Sequence, residues 1–293
     1  MSAFVVRVTG DGLHAVKTLL RSVVPRPLWN KLRLKRLHHH LQGYRRRSVR
    51  HTYGSFSLEI ELVDRLGEGW YDHDWPELPE LQLLQQRRCL SAGGRVFDLG
   101  AHQGLVALLL SRYVGAKGAV LAVEANGHNA AAARRNMEIN AAQNCTVLHA
   151  AIAERSGKLI FNEGLNGSVD DGTGDWGQVE VNAFSIDDLA ARYGTPDLLF
   201  IDVEGYECRA LEGASNTLAT RPDAFVEVHL GAGLESFGGS VERVLSFFPV
   251  SDYYFYFNEE DGPEFRRMEH PNELPKQRFF LVALAYASQI PKH

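Results

Sequence analysis

The sequence predicts an α/β protein: a mostly parallel, Rossmann-like sheet with helices on both faces and an antiparallel strand at its C-terminal end. Three observations carry this. From Arg95 onward, short apolar runs alternate with segments of helical periodicity, the pattern of a parallel sheet. One strand–helix junction, Val96-Phe97-Asp98-Leu99-Gly100-Ala101-His102-Gln103-Gly104, holds two glycines with three residues between them. Two later strands end in acids, at Asp202-Val203-Glu204-Gly205 and Glu227-Val228-His229.

Taken in order, Leu13, Val16, Leu19, Leu20, Val23 and Val24 fit one helical face, which Pro25 and Pro27 break. Leu28 to Leu41 is a second, strongly basic helix, and Arg45-Arg46-Arg47 follows it. Tyr53 to Val63 alternates as a strand or hairpin arm. Gly67 to Pro79 reads as a loop rich in aromatics, acids and proline. Glu80 to Leu90 is a helix closed by Gly93-Gly94. The organising strand, Arg95 to Leu99, leads into a helix over Leu105 to Tyr113. Ala119 to Val123 is the next strand, His128 to Ala142 an alanine-rich helix, and Cys145 to Ala150 a third strand. Lys158 to Asn162 and Gln178 to Ala183 read as edge strands around a polar, Gly-rich loop, Glu163 to Gly177. Ser185, with Asp188 three residues on, caps a helix. Asp197 to Val203 and Ala224 to Leu230 are apolar strands, Val241 to Phe248 a short helix, and Ser251 to Phe257 and Arg278 to Tyr286 a final pair of strands. The chain divides into a basic helical arm (1–50), a strand, loop and helix extension (51–94) and a core domain (95–293).

The 293 residues are 45% hydrophobic and 23% charged, the balance of a soluble globular protein. Cys89, Cys145 and Cys208 lie far apart and form no C-x-x-C, which reads as buried free thiols in a reducing cytoplasm. No apolar run approaches the roughly 18–20 residues of a spanning helix. Asp11, His14 and Lys17 interrupt the apolar start, so it makes a poor signal peptide. Charge is unevenly spread. Residues 1–50 carry 12 Lys/Arg against one acid, +11, and the other 243 carry 19 basic against 35 acidic residues, −16. The arm therefore reads as an anchor on an anionic membrane surface, as a site for an anionic partner, or as a helix packed on the acidic body or on a second subunit of a homo-oligomer. His38-His39-His40 is a weak metal signal, because three adjacent side chains point in different directions on a helix.

The glycine junction is an anion-binding corner, since free N–H groups point out of a helix N-terminus. Gly100 permits the sharp turn and Gly104 close packing of helix on strand. Asp98 adds a negative charge that would repel a nucleotide diphosphate, and G-x-G-x-x-G lacks its second glycine here. A ligand carrying both an ammonium and a carboxylate suits the corner better, as the methionine end of S-adenosylmethionine (SAM) does. Glu124 lies 20 residues past Gly104, where Rossmann-like sites place an acid on the ribose hydroxyls.

Within each acidic strand end the polar pair is spaced i, i+2, which in a strand puts both side chains on one face. The two strands are consecutive, so Asp202, Glu204, Glu227 and His229 are expected around one pocket mouth beyond the carboxyl ends of the sheet. His229 is the natural general base, with Glu227 favouring its charged form, and Asp202 or Glu204 would orient an acceptor hydroxyl. Three carboxylates so placed repel, so either His229 is protonated for part of the cycle or a divalent cation, Mg²⁺ or Mn²⁺, sits on Asp202, Glu227 and His229.

V-F-D-L-G-A-H-Q-G, V-E-A-N at Val123 to Asn126, I-D-V-E-G-Y-E-C-R-A-L-E-G-A at Ile201 to Ala214 and V-E-V-H at Val226 to His229 together resemble a SAM-dependent methyltransferase of the FkbM type. The resemblance runs from about Ser55 to Ala285. It implies a class I SAM-methyltransferase fold and O-methylation of hydroxyls on sugars, glycans, polyketides or other secondary metabolites. It also implies that Asp98, Gly100, Ala101 and Gly104 meet the methionine end of SAM, that Glu124 meets the ribose and that Ala151-Ile152 flank the adenine, with His102 and Ala125 among the cofactor-binding positions. Two positions depart from the family: His102 stands where Asn is usual, and Ala125 where Pro is usual. Residues 1–50 lie outside the resemblance.

Two other readings compete with an O-methyltransferase. One is a non-catalytic SAM-fold protein that binds through its basic arm, opposed by the acids at all four strand ends. The other is an NAD(P)-dependent oxidoreductase, weakened by the missing glycine. Nucleic acid is not the expected partner, because no D/N-P-P-F/Y motif is present and the acidic body repels a phosphate backbone.

Overall fold

The computed structural model describes residues 25–87, 89–165, 168–169, 177–260 and 262–286. The chain opens on α1 (Arg26–Gln42), with Pro27 in its first turn, where the missing N–H is harmless. The hairpin β1 (Arg47–Tyr53) and β2 (Phe56–Leu62) follows, then α2 (Arg65–Tyr71) and α3 (Pro79–Gln86). The core runs β3 (Arg95–Leu99), α4 (Leu105–Val114), β4 (Ala119–Glu124), α5 (Gly127–Ile139) and β5 (Cys145–His149). Four strands then leave that order: β6 (Ala151–Ile152), β7 (Gly157–Asn162), β8 (Ser168–Val169) and β9 (Gln178–Phe184). The core resumes with α6 (Ile186–Tyr193), β10 (Leu198–Ile201), α7 (Glu207–Glu212), α8 (Ser215–Ala219) and β11 (Asp223–Val228). It closes with α9 (Val241–Ser246), β12 (Tyr253–Glu259), β13 (Arg266–Arg267) and β14 (Phe279–Ala285).

The main sheet has the order β13-β12-β14-β11-β10-β3-β4-β5. The five strands from β11 to β5 are parallel, and β14, β12 and β13 are antiparallel to their neighbours. The central strands are covered on both sides. Val96, Leu198 and Phe200 enter one hydrophobic layer, and Phe97, Leu99, Leu199 and Ile201 the other. This is why β3 and β10 read as continuous apolar runs. The order reverses beside β3, so the ends of β3, β4, β10 and β11 open onto one crevice.

The expected edge strands belong elsewhere. β7 and β9 pair antiparallel with each other in a separate four-stranded sheet, β6-β9-β7-β8. Alternation in sequence identified strands there but carried no information about their partners. The predicted loop at 67–79 begins inside α2, which runs on to Tyr71. The start of α2 is fixed by Asp64, which accepts from the Gly67 amide at 2.8 Å. Gly67 and Gly69 hide this helix from propensity rules, yet Gly67 packs closely: a Cβ there would lie 2.4 Å from Gln103 Oε1, so the buried Gln103 side chain would have to shift. The hairpin is held to α5 by Asn136, which accepts from Glu61 N, and by Asn140, which bonds both Glu59 backbone groups. Its first strand begins at Arg47, so it runs across the expected boundary at residue 50.

In the basic arm, the face predicted over 13–24 lies outside the described residues. α1 is docked on the body. Leu37 is buried, and the Asn30 side chain both donates to and accepts from the Gln178 backbone, at 2.8 and 2.6 Å. Cys89, Cys145 and Cys208 are free thiols. Among the described residues no helix is long and apolar enough to cross a membrane.

Candidate active site

The corner after β3 is built by backbone contact. Gly100 has φ +98°, and a Cβ on it would sit 1.7 Å from the Asp202 carbonyl oxygen, so only glycine lets the ends of β3 and β10 touch. His102 is also left-handed, at φ +47°, a strained conformation for a side chain of its size. Its amide donates to Glu124 Oε2 at 2.8 Å, while Asn126 N donates to Glu124 Oε1 at 2.7 Å. Two backbone donors thus aim Glu124 before any ligand arrives. The His102 ring is fixed as well: Tyr71 donates to Nδ1 at 2.6 Å and Nε2 donates to Leu165 O at 3.3 Å. Burial lowers the His102 pKa to about 4, so the ring is neutral at physiological pH.

A cavity of about 660 Å³, counting its open mouth, lies against this corner, a size suited to a nucleoside-bearing ligand. Of the residues expected to hold the cofactor, Gly100, His102, Glu124, Ala125, Ala151 and Ile152 line it. Val123, Ala150 and Phe161 complete an apolar slot beside the last two. Asp98, Ala101 and Gly104 are not in the wall. Asp98 is buried in β3, with Oδ2 lacking a hydrogen-bond partner, and burial followed by the charge of Glu124 lifts it to about 7. Gly104 caps α4 and packs on Ala133 of α5. Trp70 and Tyr206 also line the cavity, and the sequence reading did not single them out. Trp70 is 40% exposed and its ring centroid lies 4.9 Å from that of His102.

Asp202 and Glu204 form the acidic end of the cavity. The reason differs from the expected one. β10 ends at Ile201, and residues 202–205 form a turn rather than strand. Glu204 takes φ +52°, and Gly205 follows at φ +94°, where a Cβ would meet Gly233 at 2.5 Å. The tight approach of two glycines, not strand alternation, brings the two acids together. β10 and β11 are parallel neighbours, as expected, so Glu227 and His229 stand beside this turn.

Glu227 and His229 do not reach the cavity wall. The His229 side chain is 1% exposed, with Nε2 at 3.4 Å from Glu204, 3.5 Å from Glu227 and 3.7 Å from Asp202. Its other nitrogen, Nδ1, lies 2.7 Å from Glu207 Oε1. Glu207 is wholly buried and also accepts from Gly205 N at 2.8 Å. Burial opposes a charge on His229, but the bond to Glu207 and the charges of Glu207, Asp202 and Glu204 outweigh it and lift the pKa to about 9. Burial, then Glu227 and Glu204, push Asp202 well above the usual carboxylate range, and burial also raises Glu227. The expectation that His229 is the general base therefore meets an obstacle of geometry: its ring does not reach the cavity. Glu207 lies in the quoted 201–214 block, but nothing in its sequence position marks it as the histidine's partner.

No curated protein matches the chain. A methyltransferase FkbM structure from Methylobacillus flagellatus is similar over 66% of this chain and 44% of that one, at 18% identity and a TM-score of 0.43. The chain thus spans less than half the length of that relative. A SAM-dependent O-methyltransferase from Thermotoga maritima is similar over 81% and 77%, at 13% identity and a TM-score of 0.42. A SAM-dependent methyltransferase from Aquifex aeolicus is similar over 75% and 93%, at 16% identity and a TM-score of 0.40. The family model of the methyltransferase FkbM domain matches residues 98–260, more than half of the chain and all of the site from Asp98 to His229, and the protein belongs to the FkbM family of SAM-dependent methyltransferases.

Proposed function

We propose that the protein transfers the SAM methyl group to a hydroxyl oxygen of a sugar, glycan or other hydroxylated small molecule. The observation that carries this is the polarity of the cavity. Glu124 and the apolar slot of Ala151, Ile152 and Phe161 suit ribose and adenine at one end, and Asp202, Glu204 and Trp70 form an open acidic and aromatic mouth at the other. The donor set fits SAM, because an acid pre-aimed by two backbone amides leaves lone pairs for the ribose diol. When bound, SAM supplies an electrophilic methyl on a good leaving group, so the chain must chiefly orient the acceptor and remove one proton. Asp202 orients the hydroxyl. Glu204, on the cavity wall, takes the proton, since His229 lies behind the wall. Trp70 offers a flat face to the acceptor.

The test is calorimetric titration with SAM, followed by transfer of tritiated methyl to a panel of sugars and hydroxylated metabolites. Label recovered as an ether stable to mild alkali is the expected product. Label on nitrogen, or in an alkali-labile ester, overturns the oxygen assignment. SAM binding without transfer to any acceptor favours the non-catalytic binding protein.

A further inference from the structure

We propose that Asp202, Glu227 and His229 hold one divalent cation, best matched by Mn²⁺, at the acceptor end of the cavity. The proposal rests on reading that end as the acceptor site. Its geometry, however, is independent of the methyl donor. One oxygen or nitrogen from each of the three residues lies within 4.8 Å of the others.

An acidic cluster alone would not carry this. The second observation is the histidine. Its Nδ1 is tied to the wholly buried Glu207, so a singly protonated ring keeps its proton there and turns the Nε2 lone pair toward the acids. Nε2 is buried and has no hydrogen-bond partner, and Asp202 Oδ1 opposite is in the same position. A carboxylate fixing the far nitrogen of a ligating histidine is the usual support of a metal site.

Distances separate a metal from a second proton. A proton on Nε2 would draw one carboxylate to about 2.7–2.9 Å, as Glu207 is drawn to Nδ1 at 2.7 Å. Instead three oxygens stand off, at 3.4, 3.5 and 3.7 Å. Two donors each about 2.2 Å from a shared ion lie roughly 3.1–3.6 Å apart for angles between square and tetrahedral; of the two carboxylate ligands, Glu227 at 3.5 Å falls in that range and Asp202 at 3.7 Å lies just outside it. Charge points the same way. Asp202, Glu204, Glu227 and Glu207 converge on His229, and the nearby cation, Arg278, is 3.4 Å from Glu227 while its guanidinium is bonded to Glu260. One imidazole with carboxylates lies between the nitrogen-rich sites of zinc and the all-oxygen sites of magnesium, which favours Mn²⁺. Glu204, nearest the cavity, is left to accept the acceptor's proton, while the ion would polarise the hydroxyl oxygen.

The full chain, stripped with a chelator and dialysed, is titrated with MnCl₂ alone, and free Mn²⁺ is followed by electron paramagnetic resonance. One site per chain is expected. Asp202→Asn, Glu227→Gln and His229→Gln should each weaken binding by at least about tenfold, and Glu207→Gln by about 10–100-fold through the histidine. Circular dichroism melts restrict the comparison to folded variants, and Asp202→Asn, the most exposed of the three side chains and one on the cavity wall, serves if the buried variants unfold. A free Mn²⁺ signal undiminished up to about 1 mM, or binding that all the folded variants leave unchanged, overturns the site. Failed Mn²⁺ binding with intact methyl transfer removes the cation alone. Intact Mn²⁺ binding without transfer to any hydroxyl removes the proposed reaction and leaves the site standing.

Discussion

Glu124→Gln separates a ligand-binding acid from a structural one, because the two roles move opposite observables. The wild-type carboxylate accepts one backbone amide on each oxygen, His102 at 2.8 Å and Asn126 at 2.7 Å. A glutamine keeps the shape but turns one acceptor into a donor, so one buried N–H loses its partner at a cost of about 1–3 kcal/mol. Against this stands the cost of the buried charge. Burial lifts Glu124 from its ordinary value of 4.5 to about 7, which corresponds to roughly 3 kcal/mol against the ionised folded form. The folded protein holds this proton more tightly than the unfolded chain. The group's contribution to stability is therefore full below about 4.5 and is lost as pH rises through about 7. At pH 8 the two effects of the substitution nearly cancel, and the melting temperature of Glu124→Gln should be unchanged or slightly raised. SAM affinity should fall by about 1–3 kcal/mol, roughly 5–150-fold, the loss of a charged acceptor for the ribose. Calorimetry at pH 6 and pH 8 adds a second signature: wild-type affinity rises between them as Glu124 ionises, and the variant's does so much less. Unchanged SAM affinity in the variant, or a melting temperature that collapses while affinity per folded molecule is kept, would refute the ribose assignment.

Gly100→Val should abolish SAM binding and lower the melting temperature, since a Cβ placed 1.7 Å from the Asp202 carbonyl forces β3 and β10 apart; a variant with wild-type affinity contradicts the corner. His229→Ala should cut turnover by at least about tenfold with SAM affinity kept, because it unsettles the acids around the proposed cation, and it should also destabilise the fold, because it leaves Glu207 buried without its partner; full turnover in a folded variant removes the cluster from the mechanism. Trp70→Ala should raise the acceptor KM with little change in SAM affinity, and an unchanged KM would remove the aromatic platform. The docking of α1 through Asn30 and Leu37 favours an arm packed on the body, so the full chain should not co-sediment with anionic vesicles at physiological salt; co-sedimentation that salt reverses would restore the membrane anchor.

The core was legible where each residue sits in one dominant environment. β3 and β10 are buried on both faces, so their apolar runs announce them, and Gly100 and Gly104 mark the only backbone that fits between strand and helix. Glu124 was readable because a strand end fixes both its position and its direction. What failed to show depends on contacts distant in sequence. Nothing near Glu207 or His229 says that 22 residues of chain return the two to 2.7 Å. α2 is stabilised by the Asp64 cap and by tertiary packing of Gly67 on Gln103, both invisible to propensity. The pairing of β7 with β9 is likewise a tertiary choice. Asp202 and Glu204 were correctly placed together by an argument from strand geometry, although a strained turn is what brings them there.

The proposed function stands on the cavity from Glu124 to Glu204 binding SAM. Equilibrium dialysis of the full chain against labelled SAM, with NADH as competitor, measures that binding. One SAM per chain is expected, undisturbed by NADH and displaced by S-adenosylhomocysteine. Absence of saturable SAM binding, or displacement of SAM by NADH, would contradict it.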